Sequence, residues 1–408
     1  MTKLDFYQLE NGLTLVGERM EYVQSASFHL LTPGGAAWLP NGCCGAAAVL
    51  ADWLFRGAGS RNSRQLIDAL DSLGIHHNTT VNADHLTLNA AMEAGNLAAA
   101  INLFADILLT PRLEPDQFEL SRKLAIQELQ GLDDDPRGKV MLMLYEQYYP
   151  DPYGRPGLGK EAELEALTAA QGAQIAAQLA DPSRMIFSIA GRYDFDAVCR
   201  LVETRFGACG KRATTALEPT PKPRSYVHHP NEGAQVHIGL MTEIPPISAG
   251  AYYQTMAAVS VLSGSMSSRL FTEVREKRGL CYAVGAKYHT LKDYAGVSCY
   301  AGTTPDKAQQ TLDVTWEQFQ RLKDGVTEDE LQRAKVGLKS SLIMQSESSV
   351  ARSAGIAGDF FLLGRVRPLE EIRDAIEGLT TGSVGNFLQR HPFETFTAVT
   401  IGPKEIRV

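Results

Sequence analysis

Apolar and polar positions along this chain switch between a period of two and a period near 3.6, and they do so twice in the same order. The opening "MTKLDFYQLENGLTLVGERM" alternates as a strand does. Further on, "LIDALDSLGI" (Leu66 to Ile75) has helical spacing, "HLTLNAAM" (His85 to Met92) alternates, and "NLAAAINLFADILL" (Asn96 to Leu109) is helical again. The second half repeats the plan with "FTEVREKRGL" (Phe271 to Leu280), "YAGVSCYAG" (Tyr294 to Gly302) and "DKAQQTLDVTWEQFQRL" (Asp306 to Leu322). Each half closes on a β-rich run ending in glycine, "MIFSIAG" (Met185 to Gly191) and "FTAVTIG" (Phe396 to Gly402). Gly74 and Gly279 are 205 residues apart, Gly191 and Gly402 are 211 apart. A near-constant offset of half the chain predicts duplication of one α/β unit, with a sheet under helices in each copy.

Between the halves, "TALEPTPKPRSYVHHPNEG" (Thr215 to Gly233) carries four prolines and little periodicity, and it reads as an extended linker. The expected division is a first domain over 1–214, a linker over 215–233 and a second domain over 234–408. A length of 408 residues suits two domains better than one core. The balance of 44% hydrophobic and 21% charged residues is that of a globular protein, and a net charge of −8 argues against nucleic acid or an anionic membrane as partner. No apolar run approaches the roughly 20 residues that span a bilayer. The N-terminal residues have no apolar core of a secretion signal, so a cytoplasmic location is expected, or a periplasmic one if a leader has been removed. The six cysteines lack CxxC spacing and sit in apolar segments, as reduced core thiols do. His76 and His77 are adjacent, so on a strand they face opposite sides and cannot form a metal pair; His85, His228 and His229 read as structural.

Several strings go beyond periodicity. "AAAVLADWLFRG" (Ala46 to Gly57) has the composition of a buried helix. "SRNSRQLIDALDSLG", "SRKLAIQELQGLDDDP" and "DPYGRPGLG" follow it in order, and "SSRLFTEVREKRGLCYAV" (Ser267 to Val284) lies in the second half. In the last, Arg275 precedes Tyr282 by seven residues. Together with "ENGLTLV" (Glu10 to Val16), these strings resemble, across essentially the whole chain, the pitrilysin and mitochondrial-processing-peptidase family of inverzincin metallopeptidases. The resemblance implies an α+β protein of two homologous α/β domains, each a mixed sheet flanked by helices, forming half of a clam-shell peptidase.

It also implies what is missing. In those enzymes a His-x-x-Glu-His helix binds zinc and activates water, because residues four apart share a helix face. Here the two histidine positions fall on Ala48 and Asp52, the general base on Ala51, the downstream ligand on Glu128 and an accessory acid on Ser121. No metal site is expected on this chain. Arg275 and Tyr282 match the pair that holds the peptide and stabilises the oxyanion opposite the zinc, and Asn78, Thr79 and Thr80 match the edge strand that pairs with substrate backbone. The expected partner is a homologous zinc-binding peptidase subunit, which would carry the zinc of a heterodimeric metalloendopeptidase acting on peptides. The alternative left open is a proteolytically inactive scaffold or peptide-binding protein of the same fold. "SVLSGSMSSRL" (Ser260 to Leu270) holds one glycine and no phosphate-cradling pattern, so nucleotide chemistry finds no support.

Overall fold

The computed structural model describes residues 3–211 and 216–408. Strands β1 (Lys3–Gln8), β2 (Thr14–Arg19) and β3 (Ser25–Thr32) precede helix α1 (Ala46–Trp53). A short hairpin, β4 (Gly57–Ala58) with β5 (Arg61–Asn62), leads into α2 (Ser63–Ser72), β6 (His76–Val81) and β7 (Leu86–Glu93). Then come α3 (Leu97–Leu109), α4 (Pro115–Gly131), α5 (Pro136–Tyr148) and β8 (Ile186–Gly191). The second half supplies β9 (Tyr226–Pro230), β10 (Val236–Glu243), β11 (Cys281–Thr290), β12 (Ala295–Thr303) and β13 (Phe396–Gly402).

The duplication is visible in the topology. The first sheet runs β1-β2-β8-β3-β7-β6 and the second, from its opposite edge, β9-β13-β10-β12-β11. In each, one pair is parallel (β2 with β8, β9 with β13) and the remaining pairs are antiparallel. The matched glycines share their backbone demand as well. Gly74 and Gly279 have φ of +61° and +56°, and Gly191 and Gly402 have +123° and +159°, a region closed to most side chains. Two α/β units with mixed sheets flanked by helices are therefore the fold, as the sequence leads one to expect.

The units differ from the contiguous halves 1–214 and 234–408. The first comprises Met1–Gly131, Asp151–Thr220 and Gln345–Val366; the second comprises Leu132–Pro150, Pro221–Met344 and Arg367–Val408. Each half thus gives one helix to the other unit's sheet. α5 covers β10 and β13, with Val140 and Leu144 over Gly239, where an added Cβ would meet them at ordinary van der Waals distance. The Ser349–Leu363 helix covers β2, β3 and β8. The segment 215–233 is also more than a linker: Tyr226–Pro230 is the edge strand β9, held by Tyr226 and His228, which both reach Thr400 Oγ1 (3.0 and 2.9 Å). Thr215 and residues 212–214 of the expected first domain lie outside the described residues.

In the first unit, β3 is buried on both faces. Ala26, Phe28 and Leu30 face the apolar core, where Phe28 meets Phe104 edge-on at 5.0 Å. Of the alternate residues, Ser25, Ser27 and His29 are polar and lie under the Ser349–Leu363 helix, while Leu31 joins an apolar cluster with its Ala357. Ser25 bonds Ser349 (3.1 Å), while Ser353 bonds both Ser27 (3.1 Å) and His29 (2.9 Å). Arg352 pairs with Glu18 of β2, both side chains almost fully buried. Burial holds the imidazoles of His29 and His85 down to about 4, so both are neutral near pH 7.

Candidate functional site

Arg275 and Tyr282 are brought together by two local irregularities. Residues Phe271–Glu276 form a π-helical turn, with the Lys277 amide donating to the Thr272 carbonyl five residues back (2.9 Å). Such turns are rare and are frequently found at functional sites. Gly279, in the left-handed region, ends the turn and starts β11. There Cys281 stands opposite Thr303 and Ala283 opposite Gly302, so Tyr282 is the extra residue of a β-bulge and projects from the sheet. Its side chain is 82% exposed, and the Arg275 guanidinium carbon lies 5.3 Å from its ring centroid and 4.8 Å from that of Phe271.

The charges around the pair are sorted. Lys277 and Arg278 both bind Glu273, at 2.7 and 2.5 Å, and Arg278 foremost holds that carboxyl below its ordinary range. Arg275 has no carboxylate partner among the described residues, so its donors remain for a ligand. Burial pushes the adjacent Cys281 thiol up to about 11, against the opposing charge of Arg275, so this cysteine is no nucleophile near neutral pH. What the arrangement presents is a phenol and a guanidinium, side by side and open to solvent.

The α1 helix presents the reverse case. Ala46, Ala47, Val49, Leu50 and Trp53 are buried, and Trp53 is anchored by its indole bond to the Glu114 carbonyl (3.1 Å) and by the Phe118 ring. Ala48, Ala51 and Asp52 share the remaining, half-exposed face. Asp52 accepts hydrogen bonds from Ser121 of α4 and from Arg56, the latter an i,i+4 ion pair. Two of the positions that the family pattern gives to ligand and acid therefore meet, but as a closed carboxylate–hydroxyl–guanidinium cluster. Glu128 sits two turns further along α4, exposed and without a side-chain partner among the described residues. Among the described residues no three His, Cys, Asp or Glu side chains converge as metal ligands. This donor set does not fit zinc: Ala48 and Ala51 offer no donor atom, and Arg56 neutralises the carboxylate that is left.

Asn78, Thr79 and Thr80 lie on β6, the outer strand of the first sheet, whose far edge has no partner strand among the described residues. Phe55, just past α1, stacks on His77 at 4.6 Å and so ties this edge to the helix. Sequence reasoning missed Arg56, Phe55 and the closing role of Ser121. The Asp52–Arg56 spacing was the available signal for the ion pair. Nothing in the sequence marks the contact with Ser121, which depends on how α1 and α4 pack.

Two family profiles match the chain in succession. Residues 15–161 match the insulinase profile of peptidase family M16, and residues 166–338 match the peptidase M16 inactive domain. Relatives named as uncharacterized zinc proteases include one of Rickettsia felis, 26% identical with 98% of each chain covered. Another, from Mycobacterium tuberculosis, is 29% identical over 97% of this chain and 92% of its own. Among solved structures, a peptidase M16 inactive domain from Pseudomonas fluorescens superposes with a TM-score of 0.89 at 19% identity, covering 100% of this chain and 99% of that one. A protease from Helicobacter pylori gives the same score at 18% identity, covering 98% and 100%. With two profiles of the same family matched in succession over residues 15–161 and 166–338, the chain belongs to peptidase family M16.

Proposed function

We propose that this chain is the non-catalytic subunit of a two-chain zinc metalloendopeptidase, supplying Arg275 and Tyr282 to a zinc site carried by a homologous partner. The observation that supports this reading is the exposed, unpaired Arg275–Tyr282 couple, built by a π-turn and a bulge that a purely structural strand does not need. A guanidinium offers planar donors to the carbonyls of an extended peptide, and a phenol can donate to the oxyanion as the scissile carbonyl becomes tetrahedral. The open edge of β6, through Asn78, Thr79 and Thr80, adds a place where peptide backbone can extend the sheet. Bound to the partner, zinc would supply Lewis-acid activation of water. Six cysteines outside any disulfide suit a reducing compartment, and we place the complex in the cytoplasm. Among the described residues no helix is long and apolar enough to cross a membrane.

The closed Asp52–Arg56–Ser121 cluster is what favours the second reading, a scaffold or peptide-binding protein without proteolysis. Native mass spectrometry of the protein isolated from its own cells separates the two. A complex with a second chain of similar mass and one zinc per pair is expected. A metal-free homodimer, or a larger assembly without zinc, refutes the protease reading.

A further inference from the structure

The second unit holds a cavity of about 680 Å³ that the Arg275–Tyr282 pair does not line. It opens beyond the C-terminal end of β11, whereas Tyr282 stands at the N-terminal end of that ten-residue strand. At about 3.3 Å per residue the two lie roughly 30 Å apart. The walls come from connecting segments: the end of α5, residues 221–224, the chain leaving β10, the turn before β12, and residues 391–392. Pro150, Pro221, Pro245, Pro246 and Pro392 fix the backbone of four of these segments, so the cavity is built in advance of any ligand.

Its charges are balanced and only partly used. Arg224 is held by Glu243 (2.7 Å), by the Tyr148 carbonyl (3.2 Å) and by the Tyr148 ring 4.1 Å below it, so the Arg224–Glu243 pair forms part of the wall. Lys222 donates once, to the Glu146 carbonyl, and keeps its other ammonium hydrogens. Asp293 has no side-chain partner among the described residues. A simple anion entering here meets two carboxylates, and a simple cation meets two basic groups. A ligand carrying one charge of each sign satisfies both. The volume lies within the roughly 300–1,000 Å³ range of pockets that enclose drug-sized ligands, which exceeds what one amino acid fills. Tyr294, Ile244 and the prolines supply apolar wall for side chains.

We infer that this cavity binds a short peptide with free ends, its amino terminus held by Asp293 and its carboxylate by Lys222. The site goes beyond the proposed subunit role and needs neither partner nor zinc, so the two stand or fall separately. Calorimetric titration of the full chain with trialanine, N-acetyl-trialanine, trialanine amide and free alanine tests it. Trialanine should bind, and blocking either end should weaken it at least about tenfold, the scale of one hydrogen bond between charged groups. Asp293→Asn should weaken trialanine and leave the acetylated peptide unchanged; Lys222→Met should do the same with respect to the amide. Equal affinity for free and blocked peptides overturns the inference. So does free alanine binding as well as trialanine, absence of saturable binding at millimolar concentration, or indifference to both substitutions.

Discussion

The two units carry the same five-strand plan, yet they treat its first hairpin differently. In the first unit α2 is a regular helix opened by a reciprocal Asn62–Gln65 cap, and β6 pairs with β7 without a register shift. In the second, the equivalent stretch is the π-turn, and β11 opens with the bulge at Tyr282. The residue 205 positions before Tyr282 is His77, stacked on Phe55; the one 205 before Arg275 is Leu70, buried in the core. The first copy therefore buries Leu70 and stacks an exposed His77 on Phe55, whereas the second aims both positions at solvent. Backbone irregularity costs regular hydrogen bonding, and here it is concentrated in the unit with the candidate chemistry.

The largest effect expected from breaking that comparison concerns the exchanged helix. Replacing Arg352 with Leu leaves Glu18 charged and buried, with an oxygen already unpartnered, and should destabilise the first unit by about 3–5 kcal/mol. Urea unfolding followed by hydrogen exchange should show β2 and β3 opening first, and replacing both partners with Leu should recover most of the loss. If Arg352→Leu leaves the urea midpoint unchanged, the pair has no structural weight.

Next in size is the pair itself. In the assembled complex, Tyr282→Phe and Arg275→Ala should each cut peptide turnover ~10²–10³-fold, with subunit association and unfolding midpoint unchanged. Unchanged turnover would remove the assigned role and leave the irregularities without one.

Acid should separate the units by a smaller margin. His29 and His85 in the first unit, and His289 in the second, are held at about 4 by burial. The unfolded chain takes up these protons near pH 6.5, before the folded state does, so stability complete above that pH is lost as it falls toward 4. At pH 5 the loss is about 2 kcal/mol per imidazole, so strands of the first unit should lose exchange protection before those of the second. His29→Asn should flatten that pH dependence; an unaltered profile would show that His29 is not its source.

The smallest effect belongs to α1. Asp52 is 41% exposed, so Asp52→Asn should cost at most about 1 kcal/mol, which thermal unfolding can read. A much larger loss would mean that the cluster is a structural keystone of the first unit.

Much of this was legible without coordinates. Alternation marked β7, β12 and β13 as strands, and the glycine offsets marked the duplication, because a glycine that must adopt positive φ persists where its repeat needs the same turn. The seven-residue spacing of Arg275 and Tyr282 was readable, whereas their contact was not. A regular helix and strand would have aimed them elsewhere, and only the π-turn and bulge bring guanidinium and ring to 5.3 Å. Nor could the cavity be read, since its walls come from segments scattered between residues 148 and 392.

By itself, the sequence determined most of the element types, though not strand β9 or the π-turn, together with the two-fold repetition, the family and the absence of donor atoms at Ala48 and Ala51. Only the tertiary structure decided that α5 and the Ser349–Leu363 helix cross to each other's units, and that Asp52 is closed by Arg56 and Ser121. It also decided that the polar face of β3, with Ser25, Ser27 and His29, lies under a helix instead of facing water. The physical reason is that periodicity records which residues share a face. What covers a face depends on where distant hydrogen-bond partners and apolar surfaces are satisfied, and for Glu18 that partner lies 334 residues away.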